Sequence, residues 1–187
     1  GSFTEKQFVL DAKTNFNVET IRSKSFTLIE NQRARCDISI QMDQIKNVFE
    51  IKSADLSINK LPFLVKGKVS NDSLDFYIGA KNLNLADVAT NFTLQELDVV
   101  DEINGKGLVN FELLIKGSNE KTSAPSIEAS FDVINGSLAD QGFSLKNINV
   151  KGSYTNGVIG GKEKLSLSSV RFNTLNEDFV GQLVVTD

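Results

Sequence analysis

The side chains of this chain that could do chemistry are few. Two close pairs of acids, Glu96 with Asp98 and Asp101 with Glu102, have the residue types needed for acid/base hydrolysis. Leu97 and Val100 are interleaved with them, and the local spacing is helical. Adjacent residues on a helix point apart, so these acids read as a solvated helix face. Histidine is absent from the 187 residues and Cys36 is the single cysteine. That composition excludes a Ser-His-Asp triad, a Cys-His pair, an imidazole metal site and an internal disulfide. Gly157-Val158-Ile159-Gly160-Gly161-Lys162 is a glycine-rich run beside a lysine. It lacks the spacing and the following helix of a phosphate-binding loop and reads as a turn. Asn71-Asp72-Ser73, Asn91-Phe92-Thr93 and Asn135-Gly136-Ser137 match the glycosylation triplet, a frequent chance pattern in an Asn-rich chain. Nothing here demands catalysis, a metal or a cofactor, and the expectation is a protein that is not an enzyme.

Composition narrows the partners. Twenty basic and 24 acidic residues give a net charge of -4, with no basic block, which argues against nucleic acid. No stretch approaches the roughly 18 to 20 apolar residues of a membrane-spanning helix. Thirteen Phe stand against two Tyr and no Trp. Phe contributes apolar area without a polar handle, so this balance favours a dry core or a lipid-like ligand over carbohydrate stacking.

The elements that would position such a surface are strands. Leu61 to Val69, Leu74 to Ala80, Val109 to Gly117 and Ile127 to Val133 alternate apolar and polar residues, the period of a strand buried on one side. Ala34 to Met42 alternates cleanly, with Cys36, Ile38, Ile40 and Met42 on one face. Before it, Phe8 to Leu10, Asn15 to Val18 and Ser25 to Leu28 read as three short strands of a meander. Val48 to Ile51 and Ala54 to Ile58 follow, and Asn59-Lys60 turns the chain into Leu61, with Pro62 expected at a strand start or edge. Between Leu85 and Ile103 the apolar spacing changes to three and four, predicting one or two short amphipathic helices. Asn84 and Thr93 are their N-caps, and Thr93-Leu94-Gln95-Glu96 has capping-box form. Strands then resume at Leu108 to Lys116, Ser126 to Ile134, Phe143 to Tyr154, Val158 to Ile159, Leu165 to Phe172 and Phe179 to Val185. Asn135-Gly136 and Asn156-Gly157 suit tight hairpins. The apolar phase slips by one between Leu145 and Ile148, which a β-bulge near Lys146-Asn147 would restore. The expected fold is mainly β: a long curved antiparallel sheet, groove or taco-like, with one or two short helices near 85–103. The chain reads as a single β-rich domain over 1–187. A weak internal echo also allows two diverged sub-units, 1–84 and 105–187, joined by a helical segment, 85–104.

From Ala54 to Phe92 the text ADLSINKLPFLVKGKVSNDSLDFYIGAKNLNLADVATNF resembles the AsmA-like family of bacterial envelope proteins, in its C-terminal AsmA-like region. The resemblance lies in a short strand, an apolar strand closing in Lys-Gly, a turn, a Leu-rich strand and an L-x-L-x-D-V helix entry. It continues through GKGLVNFELLIKG, PSIEASFDVINGSL and FSLKNINVKGSYTNGVIGG, over roughly the last two thirds of the chain. The family's proline after the helix entry is replaced by Thr93-Leu94-Gln95-Glu96. The resemblance implies a lipid-binding β-groove that contributes to phospholipid transport between inner and outer membranes and to outer-membrane integrity. It also implies a place in the periplasm of a Gram-negative bacterium, as part of a longer protein anchored in the inner membrane. Gly1-Ser2 reads as a scar of tag removal, which fits a piece of such a chain. The implied partners are phospholipid acyl chains, other envelope proteins or adjacent repeats of the same chain.

On that reading the groove is lined by Phe63 and Val65, by Leu74, Phe76 and Ile78, by Val109, Phe111, Leu113 and Ile115, and by Ile127, Phe131 and Val133. Periodicity alone leaves open whether these meet a ligand or close over one another beneath the 85–103 helix. The competing expectation is a structural or adhesive β module that binds protein or glycan through loops and strand edges.

Overall fold

The alternating segments assemble into one open antiparallel sheet. The computed structural model describes residues 2–3, 6–22, 27–91, 104–118, 123–140, 143–174 and 177–186. Eleven strands pair strictly in chain order: β1 (Ser2–Phe3), β2 (Gln7–Arg22), β3 (Thr27–Asp43), β4 (Val48–Ile58), β5 (Leu61–Val69), β6 (Leu74–Asn84), β7 (Asn104–Gly117), β8 (Ser126–Asp140), β9 (Phe143–Thr155), β10 (Lys164–Asn173) and β11 (Asp178–Thr186). A short helix, α1 (Leu85–Asn91), follows β6. The protein is mainly β, a curved sheet that does not close into a barrel.

Several strands are longer than the sequence pattern predicts. Phe8 to Leu10 and Asn15 to Val18, read as two short strands, belong to the single strand β2, paired with β3 from Gln7 opposite Asp43 to Arg22 opposite Thr27. Of the third segment, Thr27 and Leu28 begin β3, while Ser25 and Phe26 lie outside the described residues. Backbone pairing along β3 carries β2 through its polar stretches, where side-chain alternation gives no signal. Val48 to Ile58 is likewise one strand, bridged by a register shift between Ile51 and Ala54. Asn135-Gly136 is no hairpin. Asn135, at φ 49, is a bulge inside β8, which runs on to Asp140. Val158 and Ile159 lie in the β9–β10 turn, which Asn156 and Gly157 open. The two-residue turn with both central residues at positive φ is Asn59-Lys60, at 49° and 74°, the geometry of a type I′ hairpin. Pro62 sits at the start of β5, as its missing N–H requires.

Asn84 caps α1 through its side-chain oxygen, which accepts the Ala86 N–H at 2.8 Å. The second helix and its Thr93 capping box, with Glu96, Asp98, Asp101 and Glu102, lie outside the described residues. The main packed core surrounds α1: Leu61, Phe63, Ala80, Leu83, Leu85, Val109 and Ile148 are buried there, with Val88, Leu138 and Leu145 against them.

Candidate functional site: one apolar face of the sheet

Residues directly opposite on paired strands share a face, so the register decides which side chains meet. Val65 stands opposite Ile78, Ile78 opposite Leu113, and Leu113 opposite Ala129. Phe76 faces Ile115, and Ile115 faces Ile127. Phe111 faces Phe131, and Val109 faces Val133. Leu74 pairs with Val69, and Phe63 with Leu56. All twelve residues singled out in the sequence therefore lie on one face.

That face is wider than the sequence reading drew it. The row through Ala12, Ile38, Ala54 and Val65 continues past Ala129 to Tyr154, Leu165 and Val185. Leu10, Ile40 and Ile51 align with Gly67 and Phe76, and at the far side Leu167 faces Leu183. The signal for these residues was the same alternation, since Ile38, Ile40 and Met42 were already legible as one face. Their membership in the same surface as Phe76 depends on strand order, which alternation does not encode.

An apolar face can stay on one side over strands this long only if irregularities are absorbed. In five strands the apolar pattern steps by three rather than two: Ile51 to Ala54, Ala80 to Leu83, Val133 to Gly136, Leu145 to Ile148 and Leu167 to Val170. Each step coincides with a register shift in the pairing or, for Leu145 to Ile148, with Asn147 at φ 52. The extra residue of a bulge returns the next side chain to the same face. Asn82 and Asn135 also adopt positive φ, a conformation Asn tolerates better than other side chains. A bulge frees a backbone N–H, and neighbouring asparagines accept it: Asn82 N–H donates to Asn110 Oδ1 at 2.9 Å and Asn135 N–H to Asn149 Oδ1 at 3.1 Å.

Phenylalanine rings are laid down on this face by glycine. A Cβ on Gly67 would fall 2.1 Å from the Phe76 ring, and one on Gly152 would fall 2.2 Å from the Phe131 ring. Each ring thus lies over the backbone of the neighbouring strand, which requires the missing side chain.

The twelve residues divide by cover. Phe63 and Val109 are buried in the α1 core, and Ile78, Phe111 and Val133 pack against it. Val65, Leu74, Phe76, Leu113, Ile115, Ile127 and Phe131 lie outside that cluster and are half-buried. The face becomes more exposed toward both sides, with Leu10, Phe16, Phe179, Leu183 and Val185 between 44% and 51% accessible. α1 packs over β6, β7 and β8, at the end of the face where Leu83 and Val109 lie.

The opposite face is richer in polar side chains, although Leu64, Leu114 and the paired Leu108 and Ile134 also lie on it. A hollow of about 620 Å³ on it is bordered by Arg35, Asp37, Asp55, Leu64, Tyr77 and Lys81. Asp37 and Asp55 stand opposite one another, a side-by-side pair of acids that could suggest hydrolysis. Asp37 is already engaged by Arg35 at 3.3 Å and Lys13 at 3.4 Å. The Arg35 hydrogen bond holds its carboxyl below the ordinary value, the reverse of what a general acid needs. Burial, with Glu112 beside it, pushes the Tyr77 hydroxyl up, and that hydroxyl donates to Glu112 Oε1 at 3.2 Å. Among the described residues, no three His, Cys, Asp or Glu side chains form a group able to hold a metal ion.

No family model, curated protein or solved structure matches this chain. The apolar face and its register are thus the features from which a function can be argued.

Proposed function

We propose that this chain is a non-enzymatic lipid-binding module whose apolar face receives phospholipid acyl chains. The observation that carries this reading is the continuity of that face from β2 to β11, with α1 packed over β6, β7 and β8. Each methylene withdrawn from water onto it contributes about 0.8 kcal/mol. Half-buried Phe76, Leu113, Ile115, Ile127 and Phe131 give the chains a floor. The rings of Phe76 and Phe131, lying over glycine, keep that floor low. A lipid headgroup would stay in water and needs no catalytic or metal site. The sequence resemblance to AsmA-like proteins supports a place in the bacterial envelope, in the periplasm, with phospholipid movement between membranes as the process served.

Native mass spectrometry and titration with a fluorescent phospholipid test this. The parent protein is expected to carry or bind phospholipid. Leu113→Asp and Ile115→Asp, confirmed folded by circular dichroism, should weaken binding at least about tenfold, roughly 1.4 kcal/mol. Ser153→Asp on the polar face should leave it unchanged. A folded parent that ignores the probe, or equal binding by all variants, would replace this reading with a structural or adhesive β module.

A further inference from the structure

The strand order brings four turns to one end of the sheet: β3–β4, β5–β6, β7–β8 and β9–β10. Two of them lift aliphatic side chains into water. Ile45 in the first is 67% exposed, and Val158 and Ile159 in the last are 49% and 68% exposed. Both tips are held by side-chain and backbone hydrogen bonds. In the first, Asp43 Oδ1 accepts the N–H groups of Ile45 and Lys46, and Asn47 Nδ2 donates to Asn71 Oδ1 of the β5–β6 turn. In the last, Asn156 Nδ2 donates to the Pro125 carbonyl at 2.8 Å and the Gly161 N–H to the Gly157 carbonyl at 2.9 Å. A Cβ at Gly160 or Gly161 would meet nothing within 4 Å, so this part of the turn stands clear of the rest of the described chain.

Lysines frame each tip. Lys46 follows Ile45, and Lys6, whose carbonyl accepts the Gln44 N–H at 3.0 Å, stands beside it. Lys162 and Lys164 follow Ile159. The acid at each tip is already engaged: Asp43 by the turn N–H groups and Gln7, Glu163 by the Tyr154 hydroxyl at 2.9 Å. Between the tips Asp75 is paired with Lys116 at 3.5 Å, which leaves Asp72 as the remaining acid among the described turn residues.

We propose that this end of the sheet docks on an anionic phospholipid bilayer, with Ile45, Val158 and Ile159 entering the interfacial layer and the four lysines meeting headgroup phosphates. The spacing selects a bilayer over a protein partner. The two tips lie six strand intervals apart, about 29 Å along the sheet, with the polar Ser70 to Ser73 turn between them. A protein partner needs a continuous patch of about 800 Å². A bilayer takes up separate aliphatic tips in one plane, with lysine heads at phosphate level. The chain as a whole carries a net charge of -4, so the attraction is local to these lysines and short in range. Docking also brings the uncovered end of the apolar face to the interface. Its row through Phe8, Met42, Phe49, Val69 and Leu74 ends at these turns, while α1 packs at the other end. That consequence rests on the lipid-binding reading; the docking itself does not.

Sedimentation with sucrose-loaded vesicles tests this. The chain should bind vesicles of phosphatidylcholine containing about 30% phosphatidylglycerol, and bind at least about fivefold less to pure phosphatidylcholine or in about 0.5 M salt. Ile45→Ser with Val158→Ser and Ile159→Ser should lower the partition coefficient at least about tenfold. The thermal transition should hold, because all three side chains are exposed. Leu108→Ser, which removes an exposed leucine at the α1 end of β7, should bind as the parent does. In a Cys36→Ser background, an environment-sensitive dye attached through Ile159→Cys should shift to the blue on adding vesicles, and one attached through Lys106→Cys should not. Docking and lipid uptake fail separately: the Leu113→Asp chain should still sediment with vesicles, and the triple serine chain should still bind a soluble short-chain fluorescent phospholipid. No binding to the anionic vesicles overturns the proposal. So does equal binding to both kinds of vesicle, binding that the three serines leave intact, or an equal shift of both dyes.

Discussion

At the scale of single residues, polar side chains in this protein mostly secure backbone that the sheet leaves unpaired. Asp43 ends β3, and its Oδ1 accepts the N–H groups of Ile45 and Lys46, each at 3.0 Å, while Gln7 donates to Oδ2 at 3.2 Å. The Lys46 N–H is the largest influence holding the Asp43 carboxyl below its ordinary value. A carboxylate favoured in the folded state contributes stability that is complete above its unfolded value of about 3.9 and is lost as pH falls through the lower folded value. Asp43→Ala should therefore melt earlier than the parent at pH 7. The two melting curves should converge as acid titrates the parent's carboxylate, a comparison that calorimetry at stepped pH would make. A gap that persists unchanged in acid would mean that the lost interaction was packing rather than charge. The sequence shows Asp43 at a strand end, but its second-strand partner, Gln7, lies 36 residues away and is set by register alone.

At the scale of elements, the recurring device is the bulge. Of the five three-residue steps that keep the apolar face intact, the slip between Leu145 and Ile148 was legible as a bulge. The same step at Val133 to Gly136 was read as a hairpin, because Asn-Gly serves either use when the chain may reverse. What decides between them is whether the following residues find partners further along the same neighbour. Here Leu138 pairs with Leu145, and β8 continues. Asn147, at φ 52, offers a test. Asn147→Gly should be tolerated, since glycine adopts that conformation freely. Asn147→Val should cost about 1–2 kcal/mol in urea unfolding, because a β-branched residue is strained there. Equal stability of the two variants would show that the bulge relaxes away. The short strands expected in the first 28 residues were misjudged for a related reason: backbone pairing with β3 sustains a 16-residue strand across positions whose side chains give no period.

At the scale of the whole molecule, the open sheet shows in its surface. The chain exposes 12,892 Å², whereas a compact monomer of this mass would expose about 8,900 Å². Among the described residues no large side chain is fully buried, as expected of a layer that little packs against. Small-angle scattering of the chain, extrapolated to zero concentration, should give a radius of gyration of about 18 Å or more, against about 16 Å for a compact chain of this length. A value at the compact limit would mean that the sheet folds over on itself in solution. The amino-acid sequence by itself determined the strand-rich class, the α1 start at Asn84, the extent of β5, the starts of β6 and β8 and the twelve residues that share a face. Those features follow from local period and capping, which neighbours in sequence specify. Only the tertiary structure decided that the face spans nearly the whole sheet and that α1 covers part of it. Strand order, register and cover are contacts between residues far apart in the chain, and alternation looks the same whether a side chain meets a helix, a ligand or water.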